Sequence, residues 1–302
     1  MTPATAAEAA IPQAVQSASG SDVVYFDGRY IAKSEVRVSP DDRGFLLGDG
    51  IYEVAAAYDG RFVALDRHMD RLRRSLKEAR IDDSVADPLE TVFHELLERN
   101  GFGESGKSMV YLQVTRGAAP RSHAFPKTKV RPTVYAYAAS IPPDMSELAA
   151  GTNAITRPDM RWSRCDIKVI SLIANVLANQ EAKENGAFEA ILIRDGMALE
   201  GTHTSFFGVK DGVIHTAPLS NFILPGITRE LTIEAALRAG IQVVEKAIPA
   251  DDLASMDELF ITGTTTEVVP ILRLDGNPVA SGKPGETTLR VMELYRAVAG
   301  IV

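Results

Sequence analysis

Six Asp-Gly dipeptides punctuate the chain, at Asp27-Gly28, Asp49-Gly50, Asp59-Gly60, Asp195-Gly196, Asp211-Gly212 and Asp275-Gly276. Five of them stand between β-type runs, as in "VVYFDGRYIA", "AILIRDGMALE" and "FFGVKDGVIHT". A two-residue type I′ turn needs positive φ at both central positions, and Asp-Gly meets that demand at little cost. These five therefore predict tight antiparallel hairpins along the whole chain. The sixth, Asp49-Gly50, lies in "RGFLLGDGIYEV" and reads as a glycine-rich lead into a strand.

Helical periods are interspersed. "ALDRHMDRLRRSLKEAR" sets Met69, Leu72 and Leu76 on one face. "DPLETVFHELLERN" does the same with Leu89, Val92, Phe93, Leu96 and Leu97, with Asp87 and Pro88 as the expected cap and first turn. Further helices are expected in "SLIANVLANQEAKENG", in "TRELTIEAALRAG" and in the C-terminal "ETTLRVMELYRAVAG". Hairpins and helices come in clusters, not in strict alternation. That predicts an α+β fold rather than a doubly wound parallel sheet.

The chain has 302 residues, enough for two cores. The prolines of "ASIPPDMSELAAG" mark a boundary. The expected plan is a tail over 1–20, a smaller α+β domain over 21–140, a linker over 141–147 and a larger domain over 148–302. The tail has no Lys or Arg, so it reads as flexible and not as a secretory signal. A net charge of −8 argues against nucleic-acid and anionic-membrane partners. No apolar run approaches a membrane span. The single cysteine, Cys165, forbids an internal disulfide and points to a reducing, cytoplasmic setting.

"GFGESGKS" (101–108) satisfies the P-loop pattern G-x-x-x-x-G-K-S/T. A phosphate-binding loop needs a strand before it and a helix after it. Here a helical pattern precedes, and the alternating "SMVYLQVT" follows. The context is inverted, and the stretch reads as a helix-to-strand turn.

Four other stretches carry chemistry. Lys168 lies in "CDIKVIS" among Ile167, Val169 and Ile170. Either it points to solvent from a strand, or it is a desolvated amine able to form a Schiff base. Glu200 ends a strand before Gly201; it is a turn residue or a partner for a cofactor ring nitrogen. Gly226-Ile227-Thr228 leads into a helix, the context an anion site requires. Gly263-Thr264-Thr265-Thr266 follows a strand and offers hydroxyls and N–H groups to phosphate oxygens.

With "RGFLLGDGIYEV", "RHMDRLRRS", "QVTRGAAPRSHAFP", "RCDIKVISLIANVLANQEA", "EGTHTSFFGV", "LPGITRE" and "LFITGTTTEVVP" in register over about 22–295, the chain resembles the class IV (fold-type IV) pyridoxal-phosphate transaminases. Within them it is most similar to the bacterial D-amino acid aminotransferases. The resemblance implies a two-domain α+β fold with the cofactor, pyridoxal 5′-phosphate, in the cleft between the domains. It implies Lys168 as the Schiff-base lysine and proton shuttle, and Glu200 at the pyridine nitrogen. Arg71, Ile227, Thr228 and Thr264 are implied at the phosphate. Gly263 stands where well-known D-amino acid members carry serine, so one hydroxyl donor is replaced by a backbone N–H. Tyr52, Arg121 and His123 are implied as the trap for the substrate α-carboxylate, with the "APRSHAFP" loop reaching over from a neighbouring subunit. That implies a symmetric homodimer with composite sites.

The implied reaction is ping-pong transfer of an amino group from a D-amino acid to 2-oxoglutarate or pyruvate. Branched-chain L-amino acid aminotransferases are the first alternative: "LPGITRE" leans their way and the Arg-x-His pair leans against them. Aminodeoxychorismate lyase and (R)-amine transaminase follow.

Other signals are set aside. "HELLE" lacks the second histidine of a zinc helix. His68 and Asp70 do not share a helical face. Cys165 reads as a small packing residue and Trp162 as a core residue.

Overall fold

The computed structural model describes residues 22–104, 106–141 and 148–301. The expected tail over 1–20 and nearly all of the expected linker over 141–147 lie outside the described residues. All five hairpin dipeptides adopt positive φ at both positions, from 48° and 92° at Asp27-Gly28 to 50° and 79° at Asp275-Gly276. Asp49-Gly50 does not.

The first sheet comprises β1 (Val23–Phe26), β2 (Arg29–Ala32), β3 (Gly50–Tyr58), β4 (Arg61–Phe62), β5 (Lys107–Thr115) and β6 (Thr133–Ser140). Its order is β2-β1-β6-β5-β3-β4, antiparallel throughout. A short helix, α1 (Arg43–Leu47), precedes β3. Two longer helices, α2 (Leu65–Glu78) and α3 (Leu89–Arg99), cover one face. Met69, Leu72, Leu76 and Phe93 pack there against Val110 and Leu112. Each such side chain contributes about 1.5–3 kcal/mol on burial. The expected Asp87 cap does not form. Asp87 itself has helical backbone and closes the preceding turn, whereas a capping residue needs an extended one.

The second sheet holds β7 (Thr152–Pro158), β8 (Glu189–Arg194), β9 (Met197–Gly201), β10 (Ser205–Lys210), β11 (Val213–Thr216), β12 (Val243–Glu245), β13 (Ile248–Pro249), β14 (Glu258–Gly263), β15 (Glu267–Leu274) and β16 (Asn277–Pro278). Helix α4 (Ile173–Glu184) crosses from β7 to the parallel β8. One pair, Ser205 with Glu200, joins β10 to β9 and closes the ring β10-β14-β15-β7-β8-β9. Phe206 joins a core cluster with Leu259, Ile261 and Val269. Its neighbour Phe207 faces the other way, stacked on Phe260 beneath α5 (Ile227–Arg238) and α6 (Glu286–Val298). Strand alternation alone produces that split.

"GFGESGKS" does join α3 to β5, and Lys107 is spent on the Thr265 carbonyl and Glu267, each 2.9 Å away. Among the described residues no helix is long and apolar enough to cross a membrane.

The hairpin glycines divide by environment. A Cβ at Gly60 would lie 2.0 Å from the Gly103 carbonyl oxygen, whereas one at Gly212 meets nothing within 4 Å. Both have positive φ, 73° and 75°. We expect Gly212→Ala to cost about 1–2 kcal/mol from backbone strain alone. Gly60→Ala should cost clearly more; equal shifts of the urea midpoint would contradict the clash.

Candidate active site

Residues 159–172, between β7 and α4, form no regular strand. The solvent-facing strand reading of Lys168 therefore fails. The Lys168 carbonyl instead accepts the Tyr52 N–H of β3 at 2.9 Å, and Val169 bridges Ile51. Arg74 of α2 fixes the same stretch, donating to the carbonyl and carboxylate of Asp166 at 2.7 and 2.6 Å. The lysine amine lies 4.2 Å from the centroid of the Tyr52 ring, within cation–π distance. It lines a cavity of about 350 Å³ between the two sheets.

Glu200, at the end of β9, enters the same cavity and is 5% exposed. Arg161 donates to one carboxylate oxygen and the Leu224 N–H to the other, at 3.1 Å. Burial outweighs both and pushes the carboxyl up to about 7. Arg161 is itself gripped by Asp159 through Nε and Nη2, at 2.9 Å each. A carboxyl group poised near neutrality in a cavity can share a proton with a basic ring nitrogen.

Gly226 begins α5 with no side-chain cap, so the first N–H groups of a 12-residue helix lie open to the cavity. A Cβ at Gly226 would lie 2.7 Å from Ser205 Oγ, so the approach depends on glycine. Thr262 and Thr264 line the facing wall. The Thr262 hydroxyl is buried with no partner, and so is that of Thr266. A Cβ at Gly263 would fall 2.6 Å from Thr266 Oγ1, so the threonine hydroxyl occupies the space a serine side chain would need. Open helix N–H groups, an orphan hydroxyl and room left by glycine fit a phosphate monoester.

Arg71 also borders the cavity. Its fork is largely engaged: Nε reaches Glu53 Oε2 at 2.9 Å, Nη2 reaches Glu53 Oε1, and Nη1 donates to the Pro225 carbonyl at 2.9 Å. Glu53 is fully buried in β3 and also meets His68 Nδ1 at 2.9 Å. Burial opposes its charge, but Arg71 and His68 together hold the carboxyl far below the usual range. The sequence reading missed Glu53, His68 and Arg161. One signal was available for Glu53, a lone acid in the apolar run "IYEVAAAY".

Tyr52 lines the cavity, stacked on Tyr111 at 5.8 Å. Arg121 and His123 do not: both are exposed on the loop after β5 and outside the cavity wall of their own chain. Arg43 holds that loop by the Ser122 carbonyl at 2.7 Å. Trp162 is not a core residue. It is 50% exposed and stands at the cavity with Met160, because its stretch is anchored through Arg161 and leaves the indole no interior to fill. Cys165 is buried as expected, with its thiol pushed up to about 11 by burial. His94 and Glu98 of "HELLE" are exposed on α3.

The amino-transferase class IV profile matches residues 50–274. The chain is 44% identical to a D-alanine aminotransferase of Bacillus licheniformis over 89% of this chain and 94% of that one. It is 38% identical to the D-alanine aminotransferase of Staphylococcus haemolyticus, over 89% and 95%. Among solved structures it superposes on the Escherichia coli branched-chain amino acid aminotransferase with a TM-score of 0.84, at 25% identity, covering 91% and 93% of the two chains. The branched-chain aminotransferase of the archaeon Thermoproteus uzoniensis, solved with norvaline, gives 0.80 at 28% identity, covering 93% and 96%.

Removing one member of a buried ion pair strands the other. Glu53→Gln should therefore cost about 3–5 kcal/mol, read as a shift in urea midpoint. Arg99→Ala, which breaks an exposed pair with Glu95, should stay within about 1 kcal/mol. Glu200 gives a signed pH dependence. Its folded value lies above its ordinary 4.5, so the cofactor-free protein loses stability as pH rises from about 4.5 to about 7. Glu200→Gln should flatten that slope; an unchanged slope would contradict it.

Proposed function

The chain belongs to the class IV aminotransferases, and we propose that it moves the amino group of a D-amino acid resembling D-alanine to a 2-oxo acid, using pyridoxal 5′-phosphate in a ping-pong cycle. The observation carrying this reading is one cavity with a lysine amine, a buried carboxyl and an open helix N-terminus. The chain around it is 44% identical to a D-alanine aminotransferase.

Pyridoxal phosphate, when bound, supplies a carbonyl for the incoming amine and an electron-poor ring that stabilises negative charge at the substrate Cα. Ile227 and Thr228 would hold its phosphate by N–H and hydroxyl groups at the start of α5. Thr264 and the Gly263 N–H would do so from the opposite wall, with Arg71 supplying positive charge. Glu200 would face the ring nitrogen and keep a proton there, its carboxylate oriented by Arg161 and the Leu224 N–H. Lys168 would take the proton from the substrate Cα and deliver it to the cofactor C4′ on the same face, so its amine would set the stereochemistry. The Tyr52 ring beneath that amine limits where it can swing.

Tyr52, Arg121 and His123 would bind the α-carboxylate, the guanidinium supplying paired donors. Arg121 and His123 lie outside the cavity of their own chain, so this role needs the loop of a second copy. Ile173, Val176 and Leu177 form an exposed apolar stripe on α4, and Trp162 stands exposed nearby. Both features support a homodimer with composite sites. The two-domain plan, 21–140 and 148–302, is read on the same grounds: one sheet falls in each range, with the cavity between them.

The branched-chain reading is favoured by one observation, the superposition on branched-chain enzymes. Half-reactions without an oxo-acid acceptor separate the two. We expect D-alanine to bleach the visible cofactor band, and L-leucine and (R)-1-phenylethylamine to leave it. Bleaching by L-leucine alone would move the protein to the branched-chain group. Lys168→Ala and Arg121→Ala should each be inactive, yet mixed subunits should regain activity at the one intact composite site. No recovery on mixing would overturn the shared-site reading.

A further inference from the structure

His203 lines the cavity and has no part in the roles above. It stands on the turn between β9 and β10, with its ring 5.6 Å from that of Phe188. Its Nδ1 lies 3.0 Å from Glu189 Oε2 and 3.0 Å from Thr202 Oγ1. Glu189 is fully buried at the start of β8. It also accepts from the Ala190 N–H at 2.8 Å, the Thr202 N–H at 2.9 Å and Thr204 Oγ1 at 2.9 Å.

Glu189 has these other donors, and the imidazole supplies the positive charge that faces it; that pairing occupies Nδ1 alone. Nδ1 carries the hydrogen donated to Glu189, which leaves Nε2 as the free edge of a side chain that is 45% exposed. Burial works against the imidazolium, but the charge of Glu189 outweighs it and holds His203 above its ordinary range. The ring thus offers a second N–H, with positive charge behind it.

The placement matters as much as the charge. Tyr52 comes from the first sheet and His203 from the second, so they stand on different walls of one cavity. A substrate whose α-carboxylate is bound on the Tyr52 wall can direct its side chain to the other. Charge-assisted hydrogen bonds suit a carboxylate there.

We infer that His203 is a specificity residue that binds the distal carboxylate of dicarboxylic substrates, of the glutamate and 2-oxoglutarate kind. This rests on the aminotransferase reading of the cavity. Monocarboxylic partners such as pyruvate reach the same reacting atoms without engaging it.

The test uses the cofactor-loaded enzyme and its His203→Asn and His203→Gln variants. Binding of glutarate, which cannot react, is compared with that of butyrate by calorimetry. The acceptor half-reaction of the aminated enzyme is then followed with 2-oxoglutarate and with pyruvate. We expect glutarate affinity and the 2-oxoglutarate rate constant at low substrate to fall about tenfold or more in both variants. Butyrate and pyruvate should move less than about twofold. His203→Lys, which restores a cation, should recover part of the preference. Equal losses for mono- and dicarboxylates, or none for either, would overturn the role. The donor half-reaction of the unmodified enzyme with D-alanine separates the two readings. If D-alanine is inert while the glutarate contrast holds, the D-amino acid reading fails and that of His203 stands.

Discussion

The contact on which the rest depends is the buried carboxylate of Glu53. It belongs to the first sheet, binds Arg71 of α2, and through that guanidinium reaches the Pro225 carbonyl just before α5. Two neighbouring elements and a third, 154 residues on from Arg71, are thereby fixed to one another at the edge of the cavity. The pairing is a costly choice, since two apolar residues could fill the space with less desolvation. What it secures is position: the helix that points its N–H groups into the cavity cannot shift without stretching bonds to a charge that water does not reach.

The cavity repeats this device. Asp159 grips Arg161, which orients Glu200; Asp166 is held by Arg74, which anchors the Lys168 stretch. Glu200 and the Lys168 stretch are thus each held in place by ion pairs of their neighbours. In the proposed reaction, groups held this way would not need to reorganise when charge develops, which is where electrostatic catalysis gains most. Water would otherwise supply that stabilisation at the cost of its own reorientation.

How far this was legible in the sequence depended on how local the cause was. Hairpin turns depend on two adjacent residues, and all five Asp-Gly turns were readable. The helix whose uncapped N-terminus meets the cavity was readable because glycine, an N-cap position and a helical period are neighbours in the chain. Lys168 stood out by its apolar company, and the structure places it at the cavity rather than on a solvent-facing strand. Arg161 was not legible, because its partner Glu200 is 39 residues away and an arginine in a polar stretch looks ordinary. His68 was judged against Asp70 on its own helix, while its partner lies on β3. Trp162 failed for a related reason: hydrophobicity predicts burial only where the backbone leads inward.

The ring of strands closes through a single residue pair, Ser205 with Glu200. A strand displaced by one residue turns every side chain to the opposite face. At this seam such a slip would carry Glu200 out of the cavity and leave Arg161 facing an empty wall. Chain topology and chemical competence therefore share one register. A competitor closed one residue out of step would turn the apolar side chains of that strand outward together with Glu200, losing packing along with the cavity. The position of one carboxyl group in the cavity is therefore also a reading of how the ring of strands has met.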